Sequence, residues 1–263
     1  MDNQSRTLLD QAIGLNFDED QKDVSSPRNG QVILVEDCVE TSGAFLIHHL
    51  LKRALSPRSS SLVIFLAFAQ PFSHYDRILR KMGCNLSAQR DNKKFIFFDL
   101  LMFQCPAGGA KFNEDGVLEL YGKIQKAIEM NVSTNGKRTI TVMIDDVCLM
   151  EVAANGSTDC VLDFLHYCHT LTVEFGCHLA LLTHKDIYSD VERPTFILQM
   201  KYLADVVIKT EPLATGLATD VHGQLTVLNK DKGSGSMKQG ISYFHYRVKE
   251  NCIECSYPGT MTC

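Results

Sequence analysis

The first residues that could do ligand chemistry lie in a short loop between an apolar strand and an apolar helix. The loop extends from Glu36 to Gly43 and has the layout of a P-loop, whose pattern is G-x-x-x-x-G-K-[ST]. In a working P-loop, backbone N–H groups cradle the phosphates, the lysine reaches the β- and γ-phosphates, and the Ser or Thr hydroxyl holds Mg²⁺. Here the lysine position falls on Gly43, or on Ala44 if the register shifts by one residue. The hydroxyl position then falls on Ala44 or Phe45, so the loop lacks both the cation and the metal-binding oxygen.

Carboxylates also stand where a nucleotide site would place phosphate. Glu36, Asp37 and Glu40 lie in or beside the loop, where their charge would repel a phosphate group. Asp145 and Asp146 end a later apolar strand, the place at which P-loop enzymes carry the Asp that supports Mg²⁺. An acid at this place also commonly ends the strand and caps the next segment of the chain. Without the lysine and the hydroxyl, we interpret the pair as an ancestral or structural feature. The positions of this degenerate nucleotide site are Glu36, Asp37, Glu40, Thr41, Ser42, Gly43, Ala44, Asp145 and Asp146.

A loop later in the chain carries residue types that suit RNA. It comes after the predicted strand His178–Thr183, and open α/β sheets place ligand contacts in loops after the C-terminal ends of parallel strands. A stacking ring at Tyr188, with cations at Lys185 and Arg193, could bind RNA. Three acids in the same loop count against this interpretation.

Basic residues also cluster within and after the predicted helix Tyr75–Met82. Cations there suit a helix C-terminus and a solvated face, and a contact with nucleic acid or with a partner protein is the alternative. The members of the cluster are Arg77, Arg80, Lys81, Arg90, Lys93 and Lys94.

Other metal-binding or nucleophilic residue types make weaker cases. Cys252 and Cys255 have C-x-x-C spacing, but residues i and i+3 of a strand point to opposite faces and cannot chelate one ion well. His166 and His169 lie three residues apart on a predicted helix, where surface histidines are commoner than metal ligands. No nucleophile with a base partner is recognisable. We therefore expect that the chain is not an enzyme and has no catalytic residue, no metal site and no cofactor.

The elements that position these loops are predicted from an alternation of strands and helices. The predicted strands are continuous apolar runs, as expected of strands buried on both faces: Val32–Val35, Leu62–Phe68, Phe95–Phe98, Ile140–Ile144 and His178–Thr183. The predicted helices are Ala44–Leu55, Tyr75–Met82, Glu114–Met130 and Thr158–Phe175. This alternation predicts an α/β fold with a mostly parallel sheet and helices on both faces. A C-terminal antiparallel extension is predicted from the later runs Ala204–Lys209, Gln224–Leu228, Ile241–Val248 and Cys252–Tyr257.

Length and composition suit one large globular domain. The chain has 263 residues, of which 45% are hydrophobic and 22% charged. We predict an N-terminal docking segment and linker at residues 1–29, with a short apolar helix at residues 5–15. A single domain without a functional P-loop then occupies residues 30–263. The net charge of −5 gives no whole-protein attraction for nucleic acid, so an RNA contact requires a local basic patch or partner chains.

The sequence also bears on the cellular compartment. The polar N-terminus is not followed by the apolar core of a signal peptide, and the longest apolar run, Leu62–Ala69, is far shorter than the ~20 residues that span a bilayer. The ten cysteines have no spacing typical of a disulfide framework. We therefore expect reduced thiols, no membrane contact, and a location in the cytoplasm and the nucleus.

Four segments, taken in order, are similar to segments of a known family: Asp37–Leu51, Phe68–Tyr75, Val161–Cys168 and Gly216–Leu225. Their order resembles that of the RecA-like fold. More narrowly, the chain resembles the Elongator complex protein 6 family in a plant-type form. The likeness extends from about residue 30 to residue 228, and more loosely to the end of the chain.

The resemblance implies partners rather than a reaction. The family contributes to a hetero-hexameric ring of RecA-like domains, with two copies each of three related subunits. The ring lacks standard ATP-binding motifs, binds tRNA, and serves the complex that modifies the wobble uridine. The chemistry belongs to a separate catalytic lobe, and Elongator has also been tied to transcription elongation. By position, the two loops that face the ring's opening would be Val152–Asp159 and Asp186–Arg193.

The sequence supports three hypotheses about function. The main hypothesis is a non-catalytic ring subunit that binds two sister subunits and helps to hold tRNA. The first alternative is a RecA-like ATPase that is active only at shared subunit interfaces, where a neighbour would supply the missing Lys or Arg. The second alternative is a protein–protein adaptor without an RNA role.

Overall fold

A nine-stranded β-sheet forms the centre of the computed structural model, which describes residues 7–14, 30–57, 59, 61–104, 112–135, 138–188, 195–216, 218, 220–230 and 239–259. Of the predicted docking segment and linker at residues 1–29, residues 1–6 and 15–29 lie outside the described residues, and so does Arg193. In chain order the strands are β1 (Val32–Asp37), β2 (Ser61–Ala67), β3 (Phe95–Asp99), β4 (Thr139–Ile144), β5 (His178–His184), β6 (Val206–Glu211), β7 (Gly223–Lys230), β8 (Gln239–Val248) and β9 (Ile253–Ser256). Their order across the sheet is β3-β2-β4-β5-β1-β6-β7-β8-β9.

The parallel part of the sheet contains β1 to β6. Strand β1 pairs with β5 and β6, β2 pairs with β3 and β4, and β4 pairs with β5, all in parallel. Every residue of β1 and β2 is buried, because helices cover both faces of the sheet. This double burial explains the continuous apolar runs in the sequence. The predicted α/β fold with a mostly parallel sheet is confirmed.

The antiparallel extension is shorter than the sequence predicted. Strands β7, β8 and β9 form antiparallel pairs with their neighbours. For β6 the prediction is confirmed on one side only, because β6 pairs antiparallel with β7 but parallel with β1. Whether two strands pair in parallel or antiparallel depends on the connection between them. Strand β6 comes after a helix that crosses over the sheet, whereas β7 to β9 succeed one another as neighbours across the sheet.

Helices cover the two faces of the sheet, and the sheet separates two buried apolar clusters. They are α1 (Leu8–Ile13), α2 (Ala44–Ala54), α3 (Phe72–Lys81), α4 (Leu86–Asp91), α5 (Glu114–Asn135), α6 (Val147–Ala153), α7 (Thr158–Phe175) and α8 (Thr195–Leu203). Apolar residues of α1 to α4 pack on one face, and those of α5 to α8 pack on the other. The sequence missed α4, α6 and α8, which are too short for a clear helical period. Along the described chain, none of the helices combines the length and the apolar character that a bilayer span requires.

One segment that the resemblance predicted to be a loop is half helical. Val152–Asp159, predicted to face a ring opening, contains the end of α6 and the start of α7. A tight turn separates the two helices, in which Asn155 and Gly156 adopt left-handed backbone angles of φ 56° and 79°. The position of this segment at a ring opening stays a prediction.

Helix α1 docks on its own domain through apolar and charged side chains. Leu9 and Ile13 are buried within the cluster on the α2 side of the sheet. Asp10 is buried as well, and its Oδ1 lies 2.9 Å from His49 Nε2 and 3.4 Å from Arg53 Nε, both on α2. The helix that the sequence predicted near the N-terminus therefore packs as part of the core.

We expect the docking of α1 to weaken in acid. Burial opposes ionisation of Asp10, but the hydrogen bond and charge of His49, together with the charge of Arg53, outweigh it and lower the pKa from 3.8 to about 2. The carboxylate therefore stabilises the fold above about pH 4, and this contribution of about 2 kcal/mol is lost as the pH falls through 2. Urea unfolding of Asp10→Asn should show that loss at pH 7 and a flatter pH dependence below pH 4. The exposed Asp91→Asn is the control, and an acid profile of Asp10→Asn like that of the wild type would contradict the prediction.

Candidate functional site

The loop after β1 is a tight turn rather than an open cradle. Cys38 and Thr41 form an isolated antiparallel bridge, and the Thr41 amide donates to the Cys38 carbonyl at 3.0 Å. Thr210 on β6 fixes the turn from the side, because its hydroxyl donates to the Thr41 carbonyl at 2.7 Å. The backbone is thus folded back on itself where a P-loop would curve around phosphates.

Several amides of this turn already have acceptors within the chain. The Gly43 amide donates to Asp37 Oδ2 at 2.6 Å, at the start of α2. The Val39 amide donates to Asp186 Oδ2 at 2.9 Å, and the Ala44 amide to Ser42 Oγ at 3.3 Å. Backbone N–H groups at a helix N-terminus bind phosphate when they are free. Here the Asp37 carboxylate occupies the place of the anion.

His184 supplies the positive charge that the loop lacks. It ends β5 directly beside Asp37 in the parallel register of β1 and β5. Its Nδ1 is hydrogen-bonded to Asp37 Oδ1, and its Nε2 lies 3.0 Å from Asp146 Oδ2. The hydrogen bonds to Asp146 and Asp37 outweigh desolvation and raise the pKa of His184 to about 11. At neutral pH the ring is therefore an imidazolium between two carboxylates.

Asp145 is also hydrogen-bonded to groups within the protein. Its carboxylate accepts hydrogen bonds from the Phe68 amide at 2.7 Å, the Ala69 amide at 2.9 Å and the Tyr75 hydroxyl at 2.5 Å. Burial raises its pKa to about 6, although these hydrogen bonds act in the opposite direction. Three donors therefore occupy the carboxylate that a P-loop enzyme would turn towards Mg²⁺, and they fix the loop between β2 and α3.

A cavity of about 200 Å³ lies between these groups at the carboxyl edge of the sheet. Burial, assisted by the charge of His74, lowers the pKa of His48 to about 4. Burial and the charge of Arg77 lower the pKa of His74. Both histidines are therefore neutral at pH 7, and among the described residues no cation other than His184 lines the cavity. Its walls are Ser42, Ala44, Ile47, His48, Ala69, Gln70, His74, Tyr75, Asp145, Asp146, Leu182 and His184.

The described part of the chain contains no group of three or more His, Cys, Asp or Glu side chains arranged to hold a metal ion. Asp146 shows why the acids of this site do not form one. One of its oxygens, Oδ2, lies against His184, and the other, Oδ1, accepts from the Leu149 amide at 2.8 Å as the N-cap of α6. The two roles leave the carboxylate engaged by protein donors on both sides.

Gly43 is enclosed by side chains. A Cβ atom at this position would lie 2.9 Å from Val35 Cγ1, 3.0 Å from Leu182 Cδ1 and 3.2 Å from Asp37 Cβ. All three distances are shorter than ordinary van der Waals contacts between carbon atoms. The position that aligns with the P-loop lysine therefore has no room for a side chain.

The three acids of the loop have different environments. Only Asp37 lies against the start of α2. Glu36 is buried and forms an ion pair with Lys201 Nζ at 3.0 Å, on the face of the sheet that α8 covers. Glu40 is exposed and does not line the cavity. The prediction that all three carboxylates stand in the phosphate position is therefore corrected to Asp37 alone.

The candidate RNA-contact residues also differ in their exposure to solvent. Tyr188 lies in a 3₁₀ turn, its side chain is buried against Phe196, and its hydroxyl is hydrogen-bonded to Glu151. We therefore correct its assignment as a stacking ring, because no face of a buried ring is open to a base. Lys185 is half-exposed and lies 3.1 Å from Glu211 Oε1. It stays a candidate, and Arg193 lies beyond the described residues.

Sequence reasoning missed His184 as a site residue. The residue was visible in the loop after the fifth predicted strand, but its role depends on β5 lying next to β1. Nothing in the local pattern gives that adjacency. The available signal was chemical, because two unpaired acids beside a missing lysine call for a cation from elsewhere in the fold.

Comparison with known proteins gives a consistent result. A family model described as Elongation complex protein 6 matches residues 15–250. The chain is similar to Elongator complex protein 6 of Homo sapiens, with 26% identity over 240 residues that cover 85% of this chain and 89% of that protein. Similarity to the protein of the same name in Xenopus laevis is 26% over 229 residues, covering 81% and 85%. For Dictyostelium discoideum it is 22% over 318 residues, covering 90% and 93%.

Two solved structures share the fold. One is a KaiC-like protein from Pyrococcus horikoshii, with a TM-score of 0.59 and 13% identity over 87% of this chain and 90% of that one. The other is an uncharacterised protein from the same organism in complex with an unknown peptide. Its TM-score is 0.62, with 15% identity over 90% of this chain and 96% of that one. These likenesses show that the fold is of the RecA type.

Proposed function

The chain belongs to the Elongation complex protein 6 family, and from this premise we propose that it is a non-catalytic subunit of Elongator. In this role it assembles with two RecA-like sister subunits into a hetero-hexameric ring. The ring helps to hold tRNA while a separate catalytic lobe modifies the wobble uridine. The cytoplasm and the nucleus are the compartments in which we expect it to act.

The observation that carries the non-catalytic role is the hydrogen bond from the Gly43 amide to Asp37 at 2.6 Å. A nucleotide would have to displace this carboxylate from the amide and from His184. It would then place its phosphates beside Asp37, Asp145 and Asp146, with one imidazolium as the only cation that the described residues contribute to the cavity wall. The repulsion between a phosphate and a carboxylate about 4 Å apart in a partly buried site costs several kcal/mol. The same contacts stabilise the turn without a ligand, which suits a structural subunit.

We expect the chain to co-purify with its sister subunits and to hydrolyse no ATP by itself. Obligate assemblies bury more than roughly 2,000 Å² per interface, so the complex should survive size-exclusion chromatography at nanomolar concentration. ATP turnover by the isolated chain should equal that of a buffer blank, with a known RecA-type ATPase as the positive control.

Three results would each contradict a part of this proposal. A chain that runs as a stable monomer and binds neither sister subunit would contradict the structural role. Robust ATP turnover by the isolated chain would instead favour the alternative of a RecA-like enzyme. An assembled ring that forms normally but has no affinity for tRNA would leave the adaptor alternative.

A further inference from the structure

Positive charge is concentrated on one surface of this acidic protein, which we call the α3–α4 surface and which comprises residues 71–94. This segment contains six Lys and Arg residues and two Asp residues, a net charge of +4. The whole chain carries −5, so the remaining residues carry −9. The basic residues are Arg77, Arg80, Lys81, Arg90, Lys93 and Lys94.

Apolar residues fix the two helices of this surface and leave the charges outside. Tyr75, Leu79 and Leu86 are buried beneath them. A tight turn joins the helices, with the Cys84 amide donating to the Leu79 carbonyl at 2.7 Å. The Arg90 guanidinium lies 4.9 Å above the Phe72 ring at the start of α3, so it is held in place. The charges thus sit on a rigid support.

Three of these cations, Arg77, Lys81 and Lys93, are available to a ligand. Within the described residues, Arg77 and Lys93 have no carboxylate within 4.0 Å, and both are exposed. Lys81 pairs with the exposed Glu250 at 3.3 Å, and exposed ion pairs contribute roughly 0–1 kcal/mol, so a phosphate can replace Glu250 at little cost. Arg80 is held more firmly, because it pairs at 2.8 Å with Asp76, whose side chain is only 15% exposed.

The surface suits a phosphate backbone better than another protein. Protein interfaces are organised around exposed apolar or aromatic anchors. The large exposed apolar side chains of the described chain, such as Met102, Val173 and Tyr202, all lie outside residues 71–94. The cations of α3 lie within about 6 Å along its axis, from Arg77 to Lys81 at 1.5 Å per residue. Arg90, Lys93 and Lys94 extend the positive charge onto α4 and the turn after it, so that the group can meet more than one phosphate of a strand.

We propose that the α3–α4 surface binds the phosphate backbone of RNA, without reading its sequence. This inference rests on the proposed function and names the surface through which the chain would hold tRNA. It replaces the predicted contact at Tyr188, which is buried, with a surface on the opposite side of the sheet from α5 to α8. Binding to phosphates releases counterions and therefore weakens steeply as salt rises.

The test compares two double charge reversals in the assembled complex, Lys81→Glu with Lys93→Glu and Lys123→Glu with Lys126→Glu. Both change the net charge by the same amount. The control lysines lie exposed on α5, and each pair contains one lysine with a surface ion pair, Lys81 with Glu250 and Lys123 with Glu119. Binding of an in vitro transcribed tRNA is measured by fluorescence anisotropy at several salt concentrations, after thermal melts have shown that both variants are folded.

We expect Lys81→Glu with Lys93→Glu to weaken tRNA binding about tenfold or more, and to reduce the slope of log K against log salt by about one per lost phosphate contact. The control pair should stay within about twofold of the wild type. Equal losses in both pairs, or none in either, would overturn the α3–α4 surface while leaving the proposed function intact. Loss of the sister subunits with RNA binding unchanged would identify a protein contact instead and also overturn it. A wild-type complex that binds no tRNA would overturn the proposed RNA role itself.

Discussion

Replacing Asp37 with alanine is expected to lower the free energy of unfolding by about 3 kcal/mol. The substitution leaves the Gly43 amide without its acceptor and the His184 imidazolium with one carboxylate instead of two. An unsatisfied buried donor costs roughly 1–3 kcal/mol, and breaking a buried ion pair costs about 3–5 kcal/mol. Because 30% of the His184 side chain is accessible to water, which screens the ion pair, we discount the ion-pair cost and place the total at about 3 kcal/mol, below the simple sum. Urea unfolding at pH 7 measures it.

The isosteric Asp37→Asn separates charge from shape. One amide oxygen can still accept from Gly43, and the amide nitrogen then faces Nδ1 of His184. Nδ1 can accept a hydrogen bond from this amide only if the imidazole ring is neutral. The pKa of His184 should therefore fall well below its wild-type value of about 11. In the wild type, the stabilisation from the charged ring is complete below pH 6.5 and is lost as the pH rises towards 11. This decline should flatten in Asp37→Asn.

The exposed Glu40→Ala, in the same loop, is the matched control and should change stability by less than about 0.5 kcal/mol. Histidine NMR titration gives the pKa of His184 directly. An Asp37→Ala protein as stable as Glu40→Ala, or a His184 resonance that titrates near pH 6.5 in the wild type, would show that the carboxylate does not hold the turn.

Restoring the P-loop lysine by Gly43→Lys is expected to damage the fold without creating a nucleotide site. The new Cβ would meet Val35 and Leu182 at 2.9 and 3.0 Å, and overpacking of this kind costs roughly 1–3 kcal/mol. The loop amides would still be bound to protein acceptors. Thermal melts and isothermal titration with Mg·ATP measure the two effects.

Ala44→Lys is the control for this substitution. Ala44 is half-buried, begins α2 and lines the cavity, so a lysine side chain there can extend into open space. Stability should change by less than about 1 kcal/mol, and nucleotide affinity should again be absent. Micromolar binding of Mg·ATP by either variant would mean that the missing lysine alone silenced the site, and that Asp37 and His184 do not block it.

The sequence was sufficient to predict the parallel core, because strands that are buried on both faces appear as continuous apolar runs. Strands β1 and β2 are buried along their whole length, so no polar residue interrupts Val32–Val35 or Leu62–Phe68. The order of the strands across the sheet does not show in the local sequence pattern. The antiparallel pairing of β6 with β7 was therefore predicted from the change in pattern after residue 200, but its parallel pairing with β1 was missed.

The site shows the same division. The absence of a lysine at Gly43 could be read directly, and so could the acids at positions 37 and 146. The ion pair that joins these acids could not, because its third member, His184, lies 147 residues from Asp37 in the chain. Tyr188 failed for another reason. A tyrosine in a loop suggests an exposed ring, but a neighbouring carboxylate, Glu151, allowed its hydroxyl to be buried with a partner.

The turn closed by Asp37 has a consequence for how this subunit would respond to the ATP supply of the cell. In a nucleotide-dependent switch, the γ-phosphate and its Mg²⁺ hold loops that rearrange on hydrolysis, so the shape of those loops depends on the bound nucleotide. Here the Val39 and Gly43 amides are bound to the chain's own carboxylates, so the turn is held in shape without a nucleotide. At this position the subunit would therefore keep the same conformation at low and at high cellular ATP concentration.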